Sequence, residues 1–387
     1  MFIKILQVTA AYKPAHIYGG PTMSVAKLCE VLTENEVEVE VLTTTANGKT
    51  ELNVVKNRVQ KVDGVIVTYF KRLTKDHTHF SPGLLKNLRH IILKNPKDKK
   101  LVIHIHAWWN LVSIFSCQIA KWSNIPVILS PRGMLTNYTL GNRNSGFKSI
   151  IHAAMGKKLL TYCHIHATSE KEKQDVLQFI QPKSLVVIPN LVELPKNNSK
   201  EFVQTFEDEN LFKLIFLSRI EEKKGLELLF ESLVGLTINW NLTIAGSGEE
   251  EYVKSLKLKA ESLKLKDKIH WVGQISNNDK FQLLADHHLM VLTSYNENFA
   301  NVVVESLSVG TPVLLSNQVG LADYIDKNDF GWITDLTNET IHENIKKAFI
   351  NQEKRAKIRQ TAPKTIESDF SSEKLIHQYI SFYQQVN

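Results

Sequence analysis

At 387 residues, the chain is too long for one ordinary hydrophobic core, so two domains are expected. Its composition, 43% hydrophobic and 22% charged, is that of a folded protein and argues against a disordered one. The sequence contains no run of about 18 uncharged apolar residues, so no membrane-spanning helix is predicted.

The net charge of +7 is unevenly distributed along the chain. Residues 1–195 contain 25 Lys and Arg against 13 Asp and Glu, a charge of +12. Residues 196–387 contain 22 against 27, a charge of −5. The basic first half indicates an anionic partner: a phosphate, a nucleic acid or a membrane leaflet.

The termini and cysteines indicate a cytoplasmic protein. The first residues, Met1–Val8, become polar too soon for a signal peptide and are better interpreted as a buried first strand. Cys29, Cys117 and Cys163 are far apart among apolar neighbours, which predicts buried free thiols and fits a reducing compartment. No cysteine or histidine cluster has the spacing of a structural zinc site.

Short β-rich apolar runs alternate with helical patterns, which is typical of parallel α/β units. A helix is expected to begin near Pro21, and a last helix to cover Glu373–Gln384. In the first half we predict strands at Ile3–Thr9, Glu38–Thr44, Val65–Tyr69, Leu101–His106, Val127–Ser130, His164–Thr168 and Leu185–Pro189. In the second half they are predicted at Phe212–Ser218, Asn241–Ala245, Ile269–Val272, Leu289–Leu292, Thr311–Ser316 and Gly331–Thr334.

A linker is predicted where two prolines, a polar run and the charge reversal coincide, at Pro189–Pro195 and Lys196–Asn210. The predicted domains are therefore residues 1–195 and 196–369, with the terminal segment 370–387 returning to pack on the first. Two open parallel sheets bind ligands at the carboxyl ends of their strands. Motifs that directly follow strands are thus the candidates for function.

The first such motif is a loop after the first strand that ends in Gly19-Gly20-Pro21. Paired glycines let backbone N–H groups approach a phosphate, and a helix N-terminus adds partial positive charge. The alternative is a tight turn in an ordinary loop. The spacing is not that of a GxGxxG dinucleotide motif.

A basic amphipathic helix is predicted within Pro82–Lys100. Its apolar residues at helical spacing are Leu84, Leu85, Leu88, Ile91 and Ile92, with Lys86, Arg89, His90 and Lys94 among them. Such a helix can lie on an anionic membrane surface. It can equally pack on the sheet with its cationic face in water, and the sequence leaves both interpretations open.

Histidine and tryptophan collect after the strand Leu101–His106. His106 and Trp108 are the candidates for lining a cleft, where a sugar ring could pack on an aromatic face, while His104 and Trp109 are assigned to the core. Arg132, in Ser130-Pro131-Arg132-Gly133-Met134, follows the next strand and places a cation nearby.

In the second half, Arg219 and Lys224 lie between a strand and a helix, in the segment Ser218–Gly225. Arg offers a planar fork for phosphate oxygens, and Lys offers a point charge. A solvated charge run is the alternative. Gly246-Ser247-Gly248 follows the next strand and could admit a nucleotide close to the backbone, but it is a weak signal without a third glycine.

Glu297 and Glu305, eight residues apart, form the most specific candidate functional motif. A helix beginning between Asn298 and Asn301 would leave Glu297 in the preceding loop and place Glu305 about one turn inside. The N–H groups of its first turn would be available to an anion. The run Val302–Val304 prefers a strand, but Gly310-Thr311-Pro312 ends the segment before another apolar run, which favours the helix.

Taken together and in this order, the motifs resemble glycosyltransferase family 4, a large retaining group with the GT-B fold, in which two Rossmann-like parallel-sheet domains face each other across a cleft. The resemblance covers essentially the whole chain. It rests on the glycine pair, Arg219–Gly225, Gly246–Gly248, Ala167–Glu170, Ile188–Asn190 and, most specifically, Glu297–Pro312. The segments around His104–Trp109 and Ser130–Met134 look like those of bacterial enzymes of capsule, O-antigen or exopolysaccharide synthesis.

The resemblance implies a metal-independent, retaining transfer with no cofactor. The donor would be a nucleotide-diphosphate sugar, and the acceptor a saccharide or lipid-linked saccharide. Arg219 and Lys224 would bind the diphosphate, Glu297 the transferring sugar and Glu305 the ribose. The implied donor site further includes Gly19, Gly20, Gly246, Ser247, Gly248, Ile275, Asn298, Phe299, Ala300, Asn301 and Val302; His106, Trp108 and Arg132 are expected on the acceptor side.

Two positions depart from the family pattern. A histidine that many members carry after the strand Val127–Ser130 is replaced here by Pro131-Arg132, and the glycine usual at the hinge is Leu191. Two other functions remain open from the sequence: a sugar-nucleotide epimerase of similar fold, and a non-enzymatic basic protein that binds nucleic acid or a membrane. The scattered lysines, without a recognition motif, disfavour nucleic acid.

Overall fold

The chain divides into two α/β units in a computed structural model that describes residues 3–96, 98–136, 139, 156–195, 202 and 211–386. Unit 1 comprises Met1–Leu191 and Ser372–Asn387, and unit 2 comprises Val192–Ser371. The predicted boundary was at residue 195. The predicted linker 196–210, apart from Phe202, lies outside the described residues, as do Met1, Phe2, Lys97 and Asn387.

Unit 1 contains an eight-stranded sheet with the order β10-β9-β8-β7-β1-β2-β6-β5. Every neighbouring pair is parallel except β5 and β6. The strands of the sheet are β1 (Ile3–Val8), β2 (Glu38–Thr44), β5 (Val59–Val62), β6 (Val65–Phe70), β7 (Lys100–His106), β8 (Val127–Ser130), β9 (His164–Ala167) and β10 (Ser184–Val187); β3 (Ala46–Asn47) and β4 (Thr50–Glu51) form a separate short hairpin.

The helices of unit 1 cover both faces of this sheet. One face packs on α1 and α13, and the other on α2 and α3, through two separate clusters of apolar side chains. The described helices are α1 (Gly20–Glu34), α2 (Pro82–Lys94), α3 (Leu111–Trp122), α4 (Lys157–Leu160), α5 (Glu170–Phe179) and, at the end of the chain, α13 (Ser372–Gln385).

Unit 2 contains a six-stranded, fully parallel sheet with the order β13-β12-β11-β14-β15-β16 around one continuous apolar core. Its strands are β11 (Phe212–Leu217), β12 (Trp240–Ala245), β13 (Ile269–Gly273), β14 (Leu289–Leu292), β15 (Val313–Ser316) and β16 (Gly331–Thr334). Its helices are α6 (Leu226–Leu233), α7 (Glu250–Ser262), α8 (Asn277–Ala285), α9 (Asn301–Ser308), α10 (Ala322–Asn328), α11 (Asn338–Ile350) and α12 (Gln352–Phe370).

The prediction of two parallel α/β sheets is confirmed, and each predicted strand is present within two residues of its expected ends. The antiparallel edge strand β5 was not predicted. Its exposed and half-buried residues lack the apolar run by which the other strands were recognised.

The three cysteines are buried and free, as predicted. Among the described residues, no helix has both the length and the apolar character needed to cross a bilayer.

A buried polar network joins α13 to the strands of unit 1. Its hydrogen bonds link His106 to Gln7 (2.6 Å), Gln7 to Tyr383 (3.3 Å), Tyr383 to His104 (2.7 Å), His104 to Ser130 (2.7 Å), Ser130 to His166 (2.6 Å) and His166 to the carbonyl of Ile188 (2.8 Å). Each group can donate to the next in this order only if His104 and His166 are neutral, because each must accept through Nδ1. His106 donates through Nε2, and its Nδ1 faces the Arg132 guanidinium, which favours the neutral form there as well. Burial, followed by neighbouring positive groups, lowers the pKa of each histidine, that of His166 to about 3.

We therefore expect the protein to lose stability as the pH falls below about 6.5, the ordinary pKa of histidine. The unfolded chain takes up protons there, whereas the folded chain does not, so each buried histidine removes up to about 1.4 kcal/mol per pH unit until its folded pKa is reached. Urea denaturation at several pH values measures this slope. His166→Asn should reduce it, whereas His90→Gln, on the exposed face of α2, should leave it unchanged; equal slopes in all three proteins would contradict the assignment.

Candidate active site

The strand order of unit 2 reverses direction between β11 and β14. Open parallel sheets bind ligands at such a point, beyond the carboxyl ends of the strands. The loop after β11 contains Arg219 and Lys224, and the loop after β14 contains Glu297. The two strongest motifs of the sequence therefore follow the two strands that flank the reversal.

A buried ion pair connects these loops. The Lys224 ammonium contacts the Glu297 carboxylate, and Lys224 is only 5% exposed. Two further bonds join the same loops: the Tyr295 N–H donates to the Lys223 carbonyl (2.8 Å), and the Thr293 hydroxyl donates to the Gly225 carbonyl (2.9 Å). Lys224 and Glu297 are thus held in a fixed relative position.

Three cations lie close to the Glu297 carboxylate. Burial raises the pKa of Glu297, but Lys224, Lys223 and Arg219 outweigh this effect, so that its pKa lies below the ordinary value. Glu297 therefore remains ionised at neutral pH. The Arg219 guanidinium is partly exposed and forms an ion pair with Glu221 of the same loop (2.5 Å).

Helix α9 begins after Ala300, which has a left-handed backbone (φ +66°) and provides no side-chain cap for the first turn. As predicted, Glu297 precedes the helix and Glu305 lies one turn inside it. The Glu305 carboxylate is paired with Lys280 of α8 (3.0 Å). Burial raises the pKa of Glu305 above its ordinary value, although Lys280 counteracts this.

The two glycines of Gly246-Ser247-Gly248 have a structural role that the sequence did not reveal. A Cβ atom on Gly246 would lie 1.9 Å from the Ser218 carbonyl oxygen, and one on Gly248 would lie 2.2 Å from that of Ile220. The loop after β12 can therefore approach the chain on both sides of Arg219 only because these residues are glycine. The backbone at Arg219 is fixed by this contact.

The other unit 2 residues predicted for the donor site also lie near the carboxyl ends of the strands. Ser247 donates to the Gln274 side chain (2.8 Å), next to Ile275 and the end of β13. The Phe299 side chain is in the core against Phe370, so only its backbone can contact a ligand. Asn298 precedes α9, and Asn301 and Val302 lie in its first turn.

In unit 1, Gly19 and Gly20 begin α1, as predicted. Gly19 has φ +62°, and Pro21 occupies the first turn. The loop before them is braced by the Tyr18 hydroxyl, which accepts a bond from the Gly48 N–H (2.9 Å) in the β3–β4 hairpin.

The prediction that Trp108 lines a ligand site is wrong. Trp108 is 0% exposed and packs in the core of unit 1, whereas Trp109 is half-buried. Ala107 has φ +68°, which interrupts the strand alternation and turns Trp108 inward. His106 is also buried, and one of its nitrogens faces Arg132.

Sequence reasoning missed Lys280, the partner of Glu305. The two residues lie on different helices, 25 positions apart, and no spacing rule connects them. It also missed Ser24 and Asn190, which bind the Arg132 side chain. Among the described residues, no group of three or more His, Cys, Asp or Glu is arranged to hold a metal ion.

Comparison with known proteins adds an independent line of support. A model of glycosyltransferase family 4 matches residues 18–195, and a model of glycosyl transferases group 1 matches residues 197–365. An uncharacterised glycosyltransferase of Methanocaldococcus jannaschii, MJ1607, is 23% identical over 99% of this chain and 98% of its own length. The N-acetylgalactosamine-N,N'-diacetylbacillosaminyl-diphospho-undecaprenol 4-alpha-N-acetylgalactosaminyltransferase of Campylobacter jejuni is 22% identical over 55% of this chain and 58% of its own.

Among solved structures, Anabaena HepE in complex with UDP and glucose has a TM-score of 0.73 and 17% identity, over 98% of this chain and 99% of that chain. This likeness shows a shared fold.

We expect Gly246→Ala to destabilise the protein by roughly 3 kcal/mol, because it combines an unfavourable backbone conformation with overlap against Ser218. Gly235→Ala is the matched control: its φ is also positive (+74°), but no atom lies within 4 Å of the new Cβ, so the expected cost is only about 1 kcal/mol. Chemical denaturation of both variants measures the difference. Equal losses would refute the close contact between the two loops.

Proposed function

Because the chain belongs to glycosyltransferase family 4 and has the GT-B fold, we propose that it moves a sugar from a nucleotide-diphosphate sugar, bound by unit 2, to an acceptor bound by unit 1. The observation that carries this proposal is the meeting of Lys224 and Glu297 beside Arg219 at the strand-order reversal of unit 2. UDP and glucose in the complex of the similarly folded HepE support a nucleotide-sugar donor.

The chemistry follows from charge. When the bond from the sugar to the diphosphate breaks, negative charge develops on the departing phosphate. Arg219 and Lys224 stabilise that charge, and because both are already fixed in place, no reorganisation is needed at the moment of reaction. Glu297, ionised beside Lys224, accepts hydrogen bonds from the sugar hydroxyls, and Glu305 accepts those of the ribose.

Metal independence and retention of configuration are further parts of the proposal. The two cations supply the charge stabilisation that other enzymes obtain from a divalent ion. Retention rests on membership of the family, and no carboxylate needs to act as a nucleophile in a transfer on one face of the sugar.

For the acceptor, we favour a saccharide or lipid-linked saccharide used in bacterial surface polysaccharide synthesis. The Campylobacter relative, whose name specifies a diphospho-undecaprenol acceptor, supports this choice. Such a lipid acceptor would require the enzyme to work at the inner face of the cytoplasmic membrane.

The charge distribution supports membrane contact. The excess positive charge of the first half is confined to residues 64–169, which contain 15 Lys and Arg against 2 Asp and Glu. Residues 1–63 contain 7 against 7, and residues 170–195 contain 3 against 4. Helices α2, α3 and α4 all belong to the basic segment, and each contributes to the outer surface of unit 1.

Two exposed apolar side chains mark one end of this surface. Leu93, at the end of α2, is 71% exposed, and Trp122, at the end of α3, is 76% exposed. Both helices connect parallel strands, so both end at the edge opposite the carboxyl ends of the strands. Exposed cations lie on α2 and α4 of the same segment: Lys86, Arg89, Lys94, Lys157 and Lys158. A tryptophan among lysines is suited to the interface of an anionic bilayer.

We expect Arg219→Gln and Lys224→Gln each to lower kcat at least about 100-fold, the usual cost of removing one preorganised donor to a developing anion. The assay is transfer from a panel of nucleotide sugars, with and without EDTA, followed by NMR of the anomeric centre of the product. Lys266→Gln removes an exposed ion pair with Glu261 and should leave kcat unchanged. Near-normal turnover of either site variant would contradict the role assigned to that residue. Loss of activity in EDTA would contradict metal independence, and a product of inverted configuration would contradict retention.

Trp122→Ala should weaken binding to vesicles containing phosphatidylglycerol roughly tenfold, because about 1.4 kcal/mol of apolar burial is lost. Leu258→Ala, in unit 2, removes another exposed apolar side chain and is the control. Co-sedimentation at low and high salt measures both. If the wild-type protein stays in the supernatant with anionic vesicles at low salt, the membrane surface is wrongly assigned.

A further inference from the structure

Arg132 lies in a turn directly after β8, at the carboxyl end of the unit 1 sheet. Its backbone is left-handed (φ +58°), an unusual conformation for a residue with a side chain. The turn is held by Glu172, which accepts a bond from the Gly133 N–H (2.8 Å) and two more from Thr168 (2.7 and 2.9 Å). The position of Arg132 is therefore imposed by its surroundings.

The guanidinium of Arg132 is only partly satisfied. Its Nη1 donates to the Ser24 hydroxyl (3.1 Å) and to the Asn190 side-chain carbonyl (2.5 Å). Its Nη2 has only a long contact with His106 Nδ1 (3.4 Å), and its Nε is buried without a hydrogen-bond partner. Nε and Nη2 form one edge of the fork, the edge that grips two oxygens of a carboxylate or phosphate.

The charge of Arg132 also lacks a counterion. Among the described residues, the side chains that contact its guanidinium are the neutral Ser24, Asn190 and His106. Glu172 is the nearby carboxylate, but it accepts three hydrogen bonds from other groups. The group beside this edge, His106, is neutral, because its Nδ1 faces the Arg132 Nη2 donor and burial lowers the pKa of its imidazole. Burying a cation among neutral groups is costly, and such a site is stabilised when an anion enters it.

Arg132 lies close to the point at which the unit 1 sheet is expected to bind a ligand. The strand order of the unit 1 sheet reverses between β1 and β7, and Arg132 follows β8, the neighbour of β7. His106, at the end of β7, contacts Arg132 directly. The cation with this incompletely hydrogen-bonded edge thus lies at the end of the sheet where parallel α/β units bind ligands.

We propose that Arg132 binds an oxyanion of the acceptor, a phosphate or a carboxylate, through its Nε–Nη2 edge. This inference rests on the proposed function for the identity of the ligand as an acceptor, but not for the anion site itself. It assigns the acceptor to the class of anionic saccharides: sugars attached to a phosphate or diphosphate, or sugars that carry a uronic carboxylate.

A structural role is the competing explanation, since Arg132 also connects α1 to Asn190 at the end of unit 1. The two roles differ in one respect. Anion binding needs the Nε–Nη2 edge, whereas a structural role needs only the bonds from Nη1.

The test is NMR of the full-length protein labelled with ¹⁵N-arginine. The Nε–H signal of Arg132 is assigned by its absence in Arg132→Lys. Methyl phosphate and sodium acetate are titrated separately at constant ionic strength. We expect one of them to shift this signal along a saturating curve in the millimolar range, and the more effective anion distinguishes a phosphate from a carboxylate acceptor. A signal that neither anion shifts would overturn the proposal.

A kinetic measurement complements the titration. In Arg132→Lys, the KM for the acceptor should rise at least tenfold while the KM for the donor changes less than twofold, since lysine retains the charge but not the two-pronged geometry. An equal rise in both constants, or a marked fall in thermal stability, would indicate a structural role. Absence of any transfer by the wild-type protein would count against the proposed function alone, because the titration does not depend on turnover.

Discussion

The candidate site depends on the buried contact between Lys224 and Glu297. A lysine and a glutamate removed from water are costly to separate, since removing one partner leaves the other as an uncompensated charge. Their loops follow two adjacent strands, so the ion pair fixes the geometry of both loops at the point where the sheet order reverses. Neither side chain needs to be ordered by the ligand, which preserves binding energy for the reaction.

The backbone around this ion pair also fixes the positions of the site residues. Gly246 and Gly248 allow one loop to press against the chain on either side of Arg219, and Ala300 accepts a left-handed conformation to begin α9 where Glu297 and Glu305 require it. In unit 1, the Glu172 carboxylate holds the backbone of the turn, whereas the side chains that contact the Arg132 guanidinium are the neutral Ser24, Asn190 and His106. In unit 2, the charge of Lys224 is compensated by Glu297. In unit 1, the charge of Arg132 has no such partner among the side chains that contact it.

The parallel strands were predictable from sequence because each is an apolar run bounded by turn residues. The helix containing Glu305 was predictable despite its valines, because Gly310 and Pro312 limit the segment that could form a strand. Trp108 was misassigned because a positive φ at Ala107 changes which side of the chain faces the core, and no sequence pattern signals this. The pairing of Lys280 with Glu305, and the contacts of Gly246 with Ser218, join residues that only the folded sheet brings together.

A crystal structure with a bound nucleoside diphosphate would locate the donor site. We expect the two phosphates within hydrogen-bond distance of the Arg219 guanidinium and the Lys224 ammonium, with the ribose hydroxyls on Glu305. A diphosphate bound at another edge of the unit 2 sheet, with the Lys224–Glu297 pair untouched, would contradict this assignment.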